Sequence, residues 1–302
     1  MRSGSFVRQP AGYAAFIPAP LPPDPPINGE VVNYVTAMNY GLTRLNTLPL
    51  SLRLIREIHA LLLKNVRGAE RQPGEFRTSQ NWIGGAGISL EQAAFVPPPP
   101  HEMLTALGNL ESFLHDTLPI PIAIKCGLVH AQFETIHPFL DGNGRVGRLL
   151  ITFLLVQQGV LRKPLLYLSL YMRQHRSEYY DRLQAVRTDG DWENWLKFFL
   201  RGAAEVADMA TKTARDILNL REQHRQHIHE KVRGVANALH LLDYLFQQPI
   251  LTVGRATEML GVSYPTANNL IDQFVEQGLL HEVTGSSRNR LFRYHQFLKL
   301  FQ

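Results

Sequence analysis

The stretch HPFLDGNGRVGR, His137–Arg148, decides how the rest of the chain is read. It carries an imidazole, a carboxylate, two guanidiniums and three glycines between two apolar helical patterns. Upstream, Pro121–Ile136 spaces Ile122, Ile124, Leu128, Val129 and Phe133 as a buried helix does. Downstream, Arg145–Gln158 does so with Val146, Leu149, Leu150, Phe153 and Leu154. Gly142-Asn143-Gly144 therefore opens a helix. A helix start leaves backbone N–H groups without intrahelical acceptors, and the helix dipole adds partial positive charge there. Glycines let an anion approach the backbone closely. Taken alone, GNG favours an ordinary glycine turn with Asn143 as a cap.

The neighbours shift that balance. Arg145 and Arg148 are three apart on the first helical turn, where cations oppose the dipole. A polyphosphate reverses the penalty by accepting forked hydrogen bonds. Asp141 would repel such a ligand unless a cation bridges them, and Mg²⁺ held by one carboxylate plus phosphate oxygens is the natural bridge. The alternative for Asp141 is a second cap. His137 follows the upstream helix, and Pro138 stops that helix continuing. An imidazole beside phosphates is placed for general base work, although a lone histidine is more often a half-buried structural one. Phe139 reads as an anchor for the loop.

Together, in this order, the residues resemble the Fic family motif HPFx(D/E)GNGRxxR at every fixed position. The likeness extends to about residues 30–220, with RTSQNWIGG similar to the family's flap. It implies transfer of AMP from ATP to a Tyr, Thr or Ser hydroxyl of a target protein, with release of pyrophosphate. On this sequence, it makes His137 the base and Asp141 the Mg²⁺ ligand. The backbone of Gly142, Asn143 and Gly144 becomes the phosphate cradle, with help from the Asn143 side chain. Arg145 and Arg148 bind the β- and γ-phosphates. It also implies that an exposed flap edge, about residues 74–84 with Thr78, Ser79, Gln80, Asn81 and Trp82, pairs with an extended target segment. The other reading of Phe76 and Trp82 is simple packing of the loop. Many relatives restrain themselves with a glutamate in the pattern (S/T)xxxE(G/N), which blocks the second motif arginine. No glutamate here has Ser or Thr four residues before it. The expectation is a chain without that restraint, constitutively active or held by a separate inhibitor protein; a second copy of the chain is a further candidate partner.

Working outward, the 302 residues allow two domains. The reading is a mainly α fold: a Fic-type helical bundle with a small β-hairpin flap, then a winged helix-turn-helix. Residues 1–29 are a proline-rich leader, 30–220 the catalytic domain, 221–234 a linker helix and 235–302 the winged domain. Residues 67–100, glycine-rich and ended by four prolines, read as a β-hairpin or ordered loop. Helices are expected at about 173–187 and 191–230, the latter open to a break near Gly202. The sequence shows no long apolar run, no signal-peptide pattern and one cysteine, Cys126, in an apolar stretch. A soluble protein of a reducing cytoplasm is expected, with Cys126 as a core residue.

The net charge of +5 permits a nucleic-acid partner without proving one. After residue 235 the pattern is helix, short strand, helix, turn at Gly261, helix, hairpin. On the third helix Ser263, Tyr264, Thr266, Asn268, Asn269 and Gln273 are candidates to read bases, although Asp272 and Glu276 make it weakly basic. Arg288, Arg290, Arg293 and Lys299 would meet DNA phosphates, with no acid expected nearby. The alternative is a protein-interaction wing. His224, His227 and His229 do not share one helical face, so a solvated linker helix is preferred over a metal site. A DNA-binding regulator that uses the first domain as a nucleotide sensor is the rival function. Fic chemistry of another kind, removal of AMP or transfer of another nucleotide or phosphoryl group, is a third. The intact His137 and Asp141 favour an enzyme.

Overall fold

The computed structural model describes residues 29–84, 89–161, 168–285 and 289–301. The chain forms two compact units that divide between Ala210 and Thr211. The proline-rich leader, residues 1–28, lies outside the described residues.

The first unit begins with α1 (Gly29–Arg44), α2 (Leu52–Leu62) and α3 (Pro100–His115). The helices α4 (Ile122–Ile136), α5 (Asn143–Gln157), α6 (Leu168–Gln174), α7 (Arg176–Asp189) and the start of α8 (Trp192–Lys231) follow. In α2, Ser51 caps the start by accepting from the Leu54 N–H, and Leu54, Ile55, Ile58 and Leu62 bury one face. Helices α4 and α5 are apolar on most sides and lie at the centre. They pack on each other, α1 and α2 cover α5, and α3 and α7 cover α4. Glycines permit two of the closest approaches. A Cβ on Gly41 would stand 2.3 Å from the Phe153 ring, and one on Gly202 2.3 Å from the Tyr171 ring. Gly202 is thus a packing notch, and α8 runs through it unbroken. The helix expected at 173–187 is two, α6 and α7, meeting at His175.

Of the two readings for residues 67–100, a hairpin or an ordered loop, the described residues show no regular ladder: one isolated antiparallel bridge joins Ile83 to Phe95, and a 3₁₀ turn spans Leu90–Gln92. Cys126 is buried, and burial pushes its thiol up to about 12, so it serves as a core residue.

The second unit holds the rest of α8, α9 (Val235–Leu245), β1 (Ile250–Thr252), α10 (Val253–Leu260) and α11 (Tyr264–Glu276). It ends with β2 (His281–Glu282), β3 (Leu291–Arg293) and α12 (His295–Lys299). The strands form an antiparallel sheet in the order β1-β3-β2, with Phe292 opposite Leu251 and Glu282. Gly261 closes α10 at φ 64°, a left-handed conformation glycine adopts without penalty. The segment expected to be a solvated linker joins this unit's core. Ile228 is fully buried, and His224 accepts from the Tyr294 hydroxyl at 2.7 Å while donating to Gln296 Oε1 at 2.8 Å. Among the described residues no cluster of three His, Cys, Asp or Glu could hold a metal, and no helix is long and apolar enough to cross a membrane.

Candidate active site

The motif loop joins the end of α4 to the start of α5. Helix α4 stops at Ile136 because His137 turns to φ 46°, ψ 62°, and Pro138 follows. A left-handed conformation costs a residue with a Cβ about 1–2 kcal/mol, so the surroundings must hold it. Arg77 does so. It is 1% exposed, its Nε donates to the His137 carbonyl at 3.0 Å and its backbone N–H donates to the Pro138 carbonyl at 2.9 Å. Its Nη1 reaches the Ser79 carbonyl at 3.2 Å, and its Nη2 the carbonyls of Pro98 and, at 3.5 Å, Ile136. The flap and the catalytic loop therefore hang from one guanidinium.

The loop's far end is locked by Asn143. Its Oδ1 accepts from the Phe139 N–H at 2.9 Å and its Nδ2 donates to the Phe139 carbonyl at 2.7 Å. This corrects one expectation for Asn143. Its side chain bonds Phe139 within the loop and does not cap α5, and Gly142 at φ 81° takes the cap position. Phe139 is fully buried and stacks on His59 with centroids 3.7 Å apart. His59 accepts from the Gly74 N–H at 2.8 Å through Nδ1, which leaves Nε2–H to donate to the Asp141 carbonyl at 2.9 Å. Burial lowers its pKa to about 4, so it stays neutral in that tautomer.

The groups expected to bind an anion lie at the start of α5. The backbone N–H groups of Asn143 and Gly144 find no acceptor among the described residues, as expected of a first helical turn. Arg145 Nη1 is buried without a hydrogen bond, 3.7 Å from Glu30 Oε2, and Arg145 Nη2 lies 3.7 Å from Asp141 Oδ1. Among the described residues no carboxylate comes within 4.0 Å of Arg148. Gly144 leaves room for Arg148, since a Cβ there would meet its Nη1 at 3.2 Å. Asp141 Oδ1 accepts from the Gly142 N–H at 2.6 Å.

His137 is half-buried, and its Nδ1 is buried without a hydrogen-bond partner among the described residues. Burial lowers its pKa to about 4, with Arg187 and Arg77 adding to the effect and the Glu134 carbonyl and Asp141 opposing it. At neutral pH its imidazole is unprotonated, the form a base needs. Arg187, from α7, donates to Thr135 Oγ1 at 3.2 Å and the Glu134 carbonyl at 3.1 Å, and stacks 3.7 Å over the Phe95 ring. It ties Phe95, on the bridged segment of the flap, to the end of α4.

In the flap, Thr78, Ser79 and Trp82 are exposed. Gln80 donates to the Asn81 and Pro97 carbonyls at 3.0 and 2.8 Å, and Asn81 to the Phe139 carbonyl at 3.1 Å. These two hold the flap in place more than they present it. In the second unit, Tyr264, Thr266 and Asn269 are exposed on α11, and Asn269 Oδ1 accepts from Gln273. Asn268 bonds Asp272 at 2.7 Å. Arg290 reaches Asn268 at 2.8 Å, Asp272 at 3.1 Å and Glu282 at 3.6 Å. The expectation that Arg290 faces no acid is therefore overturned, and Arg290 and Asn268 are internal ties. Arg288 lies outside the described residues.

Sequence reasoning missed Arg77, His59, Arg187 and Glu30. Arg77, His59 and Glu30 reach the motif loop from elsewhere and Arg187 reaches the end of α4 before it; Arg77 heads the RTSQNWIGG stretch, but its partners are not readable there.

Residues 49–155 match the model of the Fic/DOC family, a span that contains the whole motif. The protein adenylyltransferase Fic of Aedes aegypti is 34% identical over 193 residues, covering 62% of this chain and 33% of that protein. That of Culex quinquefasciatus is 32% identical over 191 residues, with the same coverage. The chain thus spans about a third of the length of the curated relatives it matches. Among solved structures, a Fic family protein from Desulfovibrio desulfuricans aligns with a TM-score of 0.52 at 20% identity, covering 88% of this chain and 75% of that one, a likeness of fold.

Proposed function

We propose that this chain is a protein adenylyltransferase, moving AMP from ATP to a hydroxyl of another protein. One observation carries the reading. A neutral, half-buried imidazole and an unsatisfied anion cradle are fixed at the two ends of a single loop by Asn143, His59 and Arg77. The donor set suits a triphosphate: two free backbone N–H groups, the orphaned Arg145 Nη1, and Arg148, which has no carboxylate within 4.0 Å among the described residues. It suits Mg²⁺ only if phosphate and water supply most ligands, because Asp141 is the one carboxylate of the loop. When bound, Mg²⁺ would neutralise phosphate charge.

His137 takes the proton from the incoming hydroxyl as its oxygen bonds the α-phosphorus and pyrophosphate leaves. The first turn of α5 and both arginines stabilise the charge that builds on the leaving group. Thr78, Ser79 and Trp82 form the exposed edge that holds the target strand. Within this sequence no glutamate has the (S/T)xxxE(G/N) pattern that would restrain Arg148, which supports an enzyme that is constitutively active or held by a separate protein. Incubation with ATP, Mg²⁺ and cell lysate, followed by mass spectrometry, tests this. AMP on a protein hydroxyl supports it; transfer of only the γ-phosphoryl group would replace it with kinase-like chemistry.

A second reading concerns residues 211–301, whose order α9-β1-α10-α11-β2-β3 suits a winged helix-turn-helix. We propose that it binds DNA through Tyr264, Thr266 and Asn269, with Arg293 and Lys299 on phosphates. Salt-dependent binding to duplex fragments, weakened by Tyr264→Ala, is the expected outcome; no binding at low salt would favour a protein partner.

A further inference from the structure

The mechanism above leaves one buried carboxyl among the described residues unused. Glu134 lies just before His137 on α4, is 6% exposed, and its Oε1 makes no hydrogen bond. That oxygen is aimed at the first turns of α5. A Cβ on Gly147 would stand 2.5 Å from it and one on Gly144 3.8 Å. Two glycines of the motif therefore make room for a carboxylate behind the anion cradle, and Gly144 makes room for the Arg148 guanidinium on the same turn.

The groups facing Glu134 are few. Arg148 comes from α5, and Arg187 and Tyr179 from α7. His130, on its own helix, meets the same Gly147. Burial pushes the carboxyl up to about 7, with Arg148 and then Arg187 acting against it. Near neutral pH it is poised between its two forms, and Arg148 is the strongest influence keeping it ionised. The cradle assigns phosphate to that same arginine. A phosphate that answers the charge of Arg148 removes its hold on Glu134 and adds negative potential nearby. Both effects favour the neutral acid.

We propose that polyphosphate binding at the start of α5 is coupled to proton uptake by Glu134. The proton comes from solvent, no covalent bond changes, and the buried acid then carries no charge against the phosphates. Glu134 acts as a positioning residue through Arg148. The inference rests on the nucleotide reading of the same site.

The test is calorimetric titration of the full chain with Mg²⁺ and α,β-methylene-ATP, whose α–β linkage resists transfer. Two buffers of different ionisation enthalpy give the protons taken up. If binding raises the Glu134 pKa by about one unit, wild type takes up roughly 0.5 proton more than Glu134→Gln at pH 7.5, and the difference vanishes at pH 5.5. Equal proton numbers in the two proteins at pH 7.5 would overturn the coupling while leaving nucleotide binding intact. Absence of binding in both would remove the nucleotide reading and this inference with it. Should Glu134→Gln not fold, an infrared difference spectrum of wild type decides: gain of a buried protonated-carboxyl band on adding nucleotide supports the proposal, and its absence overturns it.

Discussion

Replacing Arg77 with Met keeps most of the side-chain volume and removes the guanidinium that joins the flap to the catalytic loop. Three carbonyls within normal reach, those of His137, Ser79 and Pro98, lose a charged donor. Each such bond is worth about 1.5–3 kcal/mol. Against this, Arg77 has no carboxylate within 4.0 Å among the described residues, and burial lowers its pKa, so its removal also relieves a desolvation cost of several kcal/mol. The net expectation is a loss of about 2–4 kcal/mol from the first unit. Urea unfolding followed by tryptophan fluorescence reads that unit alone, because all three tryptophans, Trp82, Trp192 and Trp195, lie in it. Since His137 depends on Arg77 for its left-handed backbone, AMP transfer should fall by about 10²-fold or more, the usual cost of a misplacement near 1 Å. A stability change under about 1 kcal/mol with an unaltered transfer rate would refute the view that Arg77 is the hub.

Other consequences follow from the same geometry. His59, His130 and His137 are each lowered to about 4 by burial, so between that value and 6.5 the unfolded chain binds more protons. Their contribution is complete above about pH 6.5 and is lost toward pH 4, by up to roughly 3 kcal/mol each; Glu134, raised to about 7, works the other way between 4.5 and 7. The urea midpoint of the first unit should drop steeply on acidification below pH 6, and a flat profile would contradict the burial of these groups. Gly147→Ala places a Cβ 2.5 Å from Glu134 Oε1 and 3.3 Å from the His130 ring, for an expected loss of about 1–3 kcal/mol by the same fluorescence assay. Glu30→Gln removes the nearby charge from Arg145, a half-exposed pair worth about 0.5–1 kcal/mol, and should lower the KM for ATP two- to five-fold without moving kcat.

The central site was legible in sequence because its parts are contiguous. An imidazole, a glycine turn and two arginines within twelve residues mark a helix end and a helix start, and the structure has α4 ending at Ile136 and α5 starting at Asn143. The supports were not legible. Arg77 and His59 act by reaching backbone carbonyls, and any residue can offer a carbonyl, so their partners could not be read even though Arg77 heads the RTSQNWIGG stretch. Asn143 was misread for a related reason: at a helix start its amide suits a cap, yet here the tight loop brings Phe139 within reach of both its polar atoms. The flap's extended, glycine-rich composition left a hairpin and an ordered loop both open. In the structure the buried Arg77 and the Gln80 amide take up carbonyls that a ladder would otherwise use. In the second unit, Arg290 looked free because Asp272 is 18 residues away in sequence; only the folded hairpin brings them together.

The most direct measurement of the central claim uses ATP labelled in its α-phosphate. Wild type and His137→Ala are incubated with Mg²⁺ and cell lysate, and label on protein is counted while tryptophan-monitored urea unfolding confirms that both proteins are folded. The account predicts label on a protein hydroxyl with wild type and loss of at least 10²-fold with His137→Ala. Equal labelling by the two proteins, or none from folded wild type, would contradict it.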